Sequence, residues 1–153
     1  MKRFVWRLQR VLDVKTKEER TKRAELLKLT EMLTGTRSEL LMEQRILQDI
    51  IDDLKNQKPR KRLGSQEFFL RHSAINNDQI KKLRNRIKEL ELQQQEKIAE
   101  VLKARRYKEG LEKLRAETKI QFIKQQEKLE QKELDEGATI RFVRRKLQQT
   151  GIS

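Results

Sequence analysis

A single proline divides this chain. Pro59 stands in Gln57-Lys58-Pro59-Arg60-Lys61-Arg62-Leu63-Gly64-Ser65-Gln66, and no other proline occurs in the 153 residues. Inside a helix a proline removes one hydrogen bond and clashes with the preceding turn, and it pushes the residue before it toward extended backbone. Gly64 follows, and Ser65 stands where an N-cap belongs, ahead of Phe68, Phe69 and Leu70. On both sides the sequence has the periodicity of long helices. The stretch 57–66 therefore reads as the turn of a helical hairpin, with a first arm over about 4–56 and a second over about 66–149.

The arms show the 3-4 spacing of a two-stranded seam. In the first it runs Leu26, Leu29, Leu33, Thr36, Leu40, Glu43, Leu47, Ile50, Leu54, and extends backward through Leu8, Leu12, Lys15, Glu19 and Lys22. Glu18–Lys22 and Glu19–Arg23 are i,i+4 pairs of the favourable orientation. In the second arm the seam runs Ile80, Leu83, Ile87, Leu90, Gln94, Ile98, Val101, blurs through Arg105 and Lys108, and resumes at Leu111, Leu114, Thr118, Phe122, Gln125, Leu129. The blurring reads as a stutter in the heptads. Gly35 and Gly110 lie inside the arms, each costing helix about 1 kcal/mol relative to Ala. The predicted fold is all-α: one antiparallel coiled-coil hairpin over 1–153, its second helix longer.

At 1.5 Å per residue the arms span roughly 80 and roughly 125 Å. If the hairpin folds near residue 61, Phe4 lies near Thr118, and 119–149 have no partner within the chain. They still carry apolar residues at Phe122, Leu129, Ile140, Val143 and Leu147. An uncovered apolar stripe on a helix predicts contact with another protein.

Charged residues make up 41% of the chain against 35% hydrophobic, the balance of a long exposed helix and a poor one for a globular core. The net charge of +14 favours acidic partners. It concentrates in Lys2–Arg10, Lys55–Arg62 and Arg141–Lys146, each with several Lys or Arg and no acid. There is no cysteine, hence neither a disulfide framework nor a thiolate metal site; this fits a cytosolic protein. No run of about 18 apolar residues predicts a membrane span, and the basic start lacks the apolar stretch of a signal peptide.

Catalytic chemistry is not expected, nor is any cofactor or metal. His72 is the one histidine, so no paired-histidine site can form. Asp52-Asp53 and Asp135-Glu136 are sequence neighbours, which a helix points about 100° apart, and no glycine-rich phosphate loop is present. Trp6 can pack on a helix or meet a partner. Phe68 and Phe69 can close the hairpin against Leu54 or dock elsewhere, but a two-helix contact cannot bury both.

Certain stretches carry a resemblance. Phe4-Val5-Trp6-Arg7-Leu8-Gln9-Arg10-Val11-Leu12-Asp13-Val14, followed by Lys17-Glu18-Glu19, resembles the start of the FliJ family, coiled-coil proteins of the flagellar type III export apparatus with counterparts of the YscO type in virulence export. Glu130-Gln131-Lys132-Glu133-Leu134-Asp135-Glu136 resembles that family's Asp-Glu signature near the C-terminus, and the aromatics at Phe68-Phe69-Leu70 fall where the family often has one. The likeness covers nearly the whole chain. It implies a stalk-like hairpin, similar to the two-helix stalk of rotary ATPases, that contacts a hexameric export ATPase, the cytosolic part of an export gate, and export chaperones. It implies a cytoplasmic protein held peripherally at the inner face of the cell membrane by the export apparatus. Carried onto this sequence, Trp6, Arg7, Leu8, Phe122, Leu129, Asp135, Glu136, Ile140 and Val143 are ATPase-side candidates. Ile50, Leu54, Phe68, Phe69 and Ile75 are gate-side candidates. Two other readings fit the residues: a basic hairpin that binds nucleic acid, though its tip lacks interleaved aromatics, and a plain coiled-coil dimer.

Overall fold

The computed structural model describes residues 2–56 and 59–151, without the side chains of 59–63 and 65. It contains two α-helices, α1 (Gln9–Asn56) and α2 (Pro59–Gln149), of 48 and 91 residues. Among the described residues there is no strand. The chain groups into two units: residues 17–105, and residues 1–16 with 106–153.

In the unit of residues 17–105, α1 and α2 lie antiparallel. Arg37 pairs with Glu91 at 3.0 Å, Lys97 with Glu25 at 2.8 Å, and Arg105 with Glu19 at 3.9 Å. Gln94 Nε2 donates to Thr30 Oγ1 at 3.1 Å, and that hydroxyl donates to the Leu26 carbonyl at 2.9 Å. These pairs set a register in which residue i faces roughly residue 123 − i. The covered positions obey it on both helices. Leu33 and Leu90 are the innermost residues, 1% and 0% exposed. Ile80 and Val101 are buried, and Leu26, Leu29, Leu40, Leu47, Leu83 and Ile87 are half-buried. Each apolar side chain removed from water here contributes about 1.5–3 kcal/mol when fully buried. One row per helix is all that two helices can cover, so Leu27, Leu41, Met42 and Leu92, off the seam, remain exposed.

The α1 seam matches the sequence reading at every position from Leu8 to Leu54. The α2 seam does not. Its covered positions are Asn76, Ile80, Leu83, Ile87, Leu90, Gln94, Lys97, Val101, Ala104, Lys108, Leu111, Arg115 and Thr118, an unbroken 4-3 alternation. No stutter interrupts 101–111. Lys97 occupies the seam (side chain 22% exposed) where the apolar pattern points to Ile98 (40% exposed). Ala104 replaces Arg105, and Arg115 replaces Leu114. Long cationic side chains can lay an aliphatic stem along a seam and keep the charge at its edge. The frame is imposed by the partner helix, so it overrides the local apolar count. The 4-3 alternation breaks later, at Thr118, Phe122 and Gln126, all half-buried and spaced four apart.

Both helix starts differ from expectation. α2 begins at Pro59, not at Gln66. Proline is suited to the first helical position, where its missing N–H has no partner to lose and its fixed φ already fits. Gly64 and Ser65 are therefore interior helix residues, and Ser65 is not an N-cap. Of the expected turn, Gln57 and Lys58 lie outside the described residues. α1 begins at Gln9 rather than Phe4. Its first turn holds no acid, and Arg7 and Arg10 place positive charge at the positive end of the helix dipole.

Candidate functional site

The ATPase-side candidates all fall in the unit of residues 1–16 and 106–153. There the non-helical segment 2–6 packs against α2. The Phe4 and Phe122 rings lie 5.4 Å apart, tilted at 51°, and the Arg115 guanidinium stands 5.7 Å over the Phe4 ring. Arg115 Nε donates to Gln9 Oε1 at 2.9 Å, while Gln9 Nε2 donates to Asp13 Oδ1 at 2.9 Å. The Gln9 amide N–H donates to the Trp6 carbonyl at 3.2 Å, which turns the segment into the helix. Trp6 itself is 8% exposed. Its ring is thus covered by its own chain, together with Leu12. Lys15 Nζ lies 4.9 Å over the Tyr107 ring.

This packing ends near Gln126. A hollow there is lined by Lys2, Phe122, Ile123, Gln126, Glu127 and Glu130. From Glu127 to Gln149, α2 continues with every residue exposed except the half-buried Gly137. Leu129, Leu134, Ile140, Phe142, Val143 and Leu147 are between about half and two-thirds exposed. Asp135 and Glu136 are exposed with them; Asp135 Oδ1 accepts from Gln131 Nε2 at 3.2 Å. Of the nine candidates, Leu129, Ile140 and Val143 share one helix face with Glu136. Arg7 is exposed, Leu8 and Phe122 are half-buried, and Trp6 is enclosed. The sequence reading missed Leu134 and Phe142, which fall off the stripe it followed. α2 ends in a left-handed glycine: Gly151 has φ 74°, and the Thr150 amide donates to the Lys146 carbonyl at 3.1 Å.

The gate-side candidates fall in the unit of residues 17–105. Ile50, Leu54 and Phe69 are half-buried on the seam, and Phe68 and Ile75 are 56% exposed. One phenylalanine thus faces the helix pair and the other faces out. The Phe68 ring packs against the His72 ring, centroids 4.1 Å apart and tilted at 51°. A groove lies on the same unit, lined by Met42, Ile46 and Leu83 together with Glu39, Glu43, Gln79 and Lys82.

Among the described residues, two buried polar groups interrupt the seam. Glu19 is 1% exposed, its Oε1 accepting from Arg23 and ion-paired with Arg105 at 3.9 Å, with no hydrogen-bond partner for Oε2. Asn76 is 7% exposed, and its Nδ2 has no partner. At the surface, the hydrogen bond from Lys97 holds the Glu25 carboxyl below its ordinary value. The same bond, with one to Glu100, holds the Lys97 ammonium above its own. Among the described residues, no group of three His, Asp or Glu is placed to hold a metal, and no helix is long and apolar enough to cross a membrane.

Two helices over nearly the whole length, with family-like stretches at both ends, agree with a comparison against family models: the flagellar FliJ protein model matches residues 3–147. The chain belongs to the FliJ family. Membership makes it an export-related, non-catalytic component of the flagellar system. Among curated proteins and among solved structures, none matches it.

Proposed function

We propose that this FliJ-family chain is a stalk-like coupling component of the flagellar protein export apparatus. It engages the ring of the export ATPase through the end of α2, the export gate through the helix pair around Phe68, and empty export chaperones along its exposed faces. It works in the cytoplasm, held at the inner face of the membrane by those partners.

The observation that carries the reading is the uncovered segment 127–149. A helix exposing Leu129, Ile140, Val143 and Leu147 leaves apolar surface in water, and burying it against a partner is favourable at about 25 cal/mol per Å². A ring pore would cover such a helix on several sides. The cluster Arg141, Arg144, Arg145 and Lys146 would meet acidic pore residues and speed encounter at low salt. Phe68 and Ile75, exposed beside a half-buried Phe69, are the corresponding apolar anchors for the gate.

The test is ATP hydrolysis by the flagellar export ATPase of the same organism, with and without the chain, alongside its assembly by light scattering. Faster hydrolysis with more hexamer is expected, and the paired substitution Leu129→Asp with Val143→Asp should abolish both. An unchanged rate and unchanged assembly at micromolar concentrations would sink the ATPase reading. A Phe68→Ala, Ile75→Ala variant that binds the gate's cytosolic domain as tightly as the unaltered chain would remove the gate surface.

A further inference from the structure

We propose that residues 127–149 form a self-recognition helix through which two copies of this chain pair antiparallel. In this segment Leu129, Glu133, Glu136, Ile140, Val143 and Leu147 follow one another at alternating spacings of four and three, the frame of a coiled-coil seam. All are exposed. Read in the opposite direction, the frame falls on itself. Leu129 meets Leu147 of a second copy, Glu133 meets Val143, and Glu136 meets Ile140. A two-fold contact between identical surfaces requires this self-complementarity.

The charges say what covers the face. Residues 127–136 hold five acids (Glu127, Glu130, Glu133, Asp135, Glu136) against Lys128 and Lys132, whereas 137–149 hold Arg141, Arg144, Arg145 and Lys146 and no acid. Antiparallel pairing sets the acidic half of each copy on the basic half of the other. Glu130 and Arg144 each follow a seam position, Leu129 and Val143 respectively, on the same flank. Across the two-fold axis they face one another twice. The seam acid Glu133 is within reach of the second copy's Arg144 and Lys146. A parallel pair would instead set the acidic halves side by side and the basic halves side by side, with Glu130 facing Gln125 and Arg144 facing Thr139 and no opposite charge for either. Gly137, on that flank at the crossing point, offers no side chain to hold the two backbones apart. The two glutamates inside the seam keep the association weak and salt-sensitive.

The inference does not rest on the export reading, and its test needs this chain alone. Molar mass is followed by light scattering and sedimentation from about 5 to about 500 µM, a range that brackets a micromolar dissociation constant. The full chain should rise from its monomer mass of 18.5 kDa toward twice that value, less steeply at high salt. Glu130→Arg and Arg144→Glu should each weaken the dimer by about tenfold or more, since each turns two attractions into repulsions. An equimolar mixture of the two variants should restore it, because residues 130 and 144 again face each other with opposite sign. Both positions are exposed, and unchanged helical circular dichroism confirms that the variants fold. A monomer at every concentration, single variants that dimerise as tightly as the unaltered chain, or a mixture that fails to recover would each overturn the proposal.

Discussion

At the residue scale, Glu19 shows what a coiled-coil seam tolerates. Its carboxylate is enclosed, one oxygen hydrogen-bonded to Arg23 and ion-paired with Arg105, the other without a hydrogen-bond partner. Replacing a buried ion group by an apolar residue of similar size is often neutral or stabilising by about 1–4 kcal/mol. Glu19→Leu should therefore raise the urea midpoint, while Arg105→Ala, which takes away the cross-helix partner, should lower it. The reverse order would show that the triad is a net source of stability. Leu33 and Leu90 are the opposite case, apolar and fully covered. Leu90→Ala should cost about 2–4 kcal/mol in chemical unfolding, and a cost near zero would mean that the two helices do not pair as described. Glu25 and Lys97 give a pH signature. The Glu25 carboxyl is depressed, so its contribution is present above the ordinary carboxylate value of 4.5 and fades as pH falls through the lower folded value. The Lys97 ammonium is raised, so its contribution is present below 10.5 and fades as pH rises through the higher folded value. The melting-temperature difference between the unaltered chain and Glu25→Gln should be small, constant near neutrality, and vanish in acid. A difference that grows on acidification would contradict the pair.

At the scale of the helix, the interior glycines are open positions. A Cβ at Gly35 would meet nothing within 4 Å, and its backbone is helical. Gly35→Ala should stabilise by about 1 kcal/mol through helix propensity and a less flexible unfolded chain. A loss of stability would reveal a contact that this surface makes with something else. The seam of α1 was legible in the sequence because leucine recurs along it from Leu26 to Leu54. The seam of α2 was legible without error only to Gln94, since Lys97 and not Ile98 holds the next covered position before Val101. Beyond it Ala104, Lys108 and Arg115 hold the covered positions while Leu102 and Leu114 are exposed, so counting apolar residues follows the wrong line. The helix starts were misread for a related reason. Pro59 signals a break, but the same residue is a good first helical residue, and only the backbone shows on which side of it the helix lies.

At the scale of the whole molecule, each unit can be tested by what it retains when part of it is removed. Residues 127–149 are exposed along their length apart from the half-buried Gly137. Ending the chain after Gln126 should leave the thermal midpoint of the remainder nearly unchanged while reducing helical circular dichroism in proportion to the residues lost. A large fall in the midpoint would mean that the segment packs on its own chain. By itself, the amino-acid sequence determined that this protein is two long helices with one break, a polar exterior and a surplus apolar stripe near the end of the second. Those properties follow from local periodicity, from one proline and from a composition too charged for a globular core. Only the tertiary structure decided which of two adjacent residues faces the partner helix, as with Lys97 over Ile98 and Phe69 beside Phe68. It alone folded the Phe4–Trp6 segment back as non-helical chain against α2. Such choices depend on register, and register is a property of two helices in contact, which no stretch of a single helix contains.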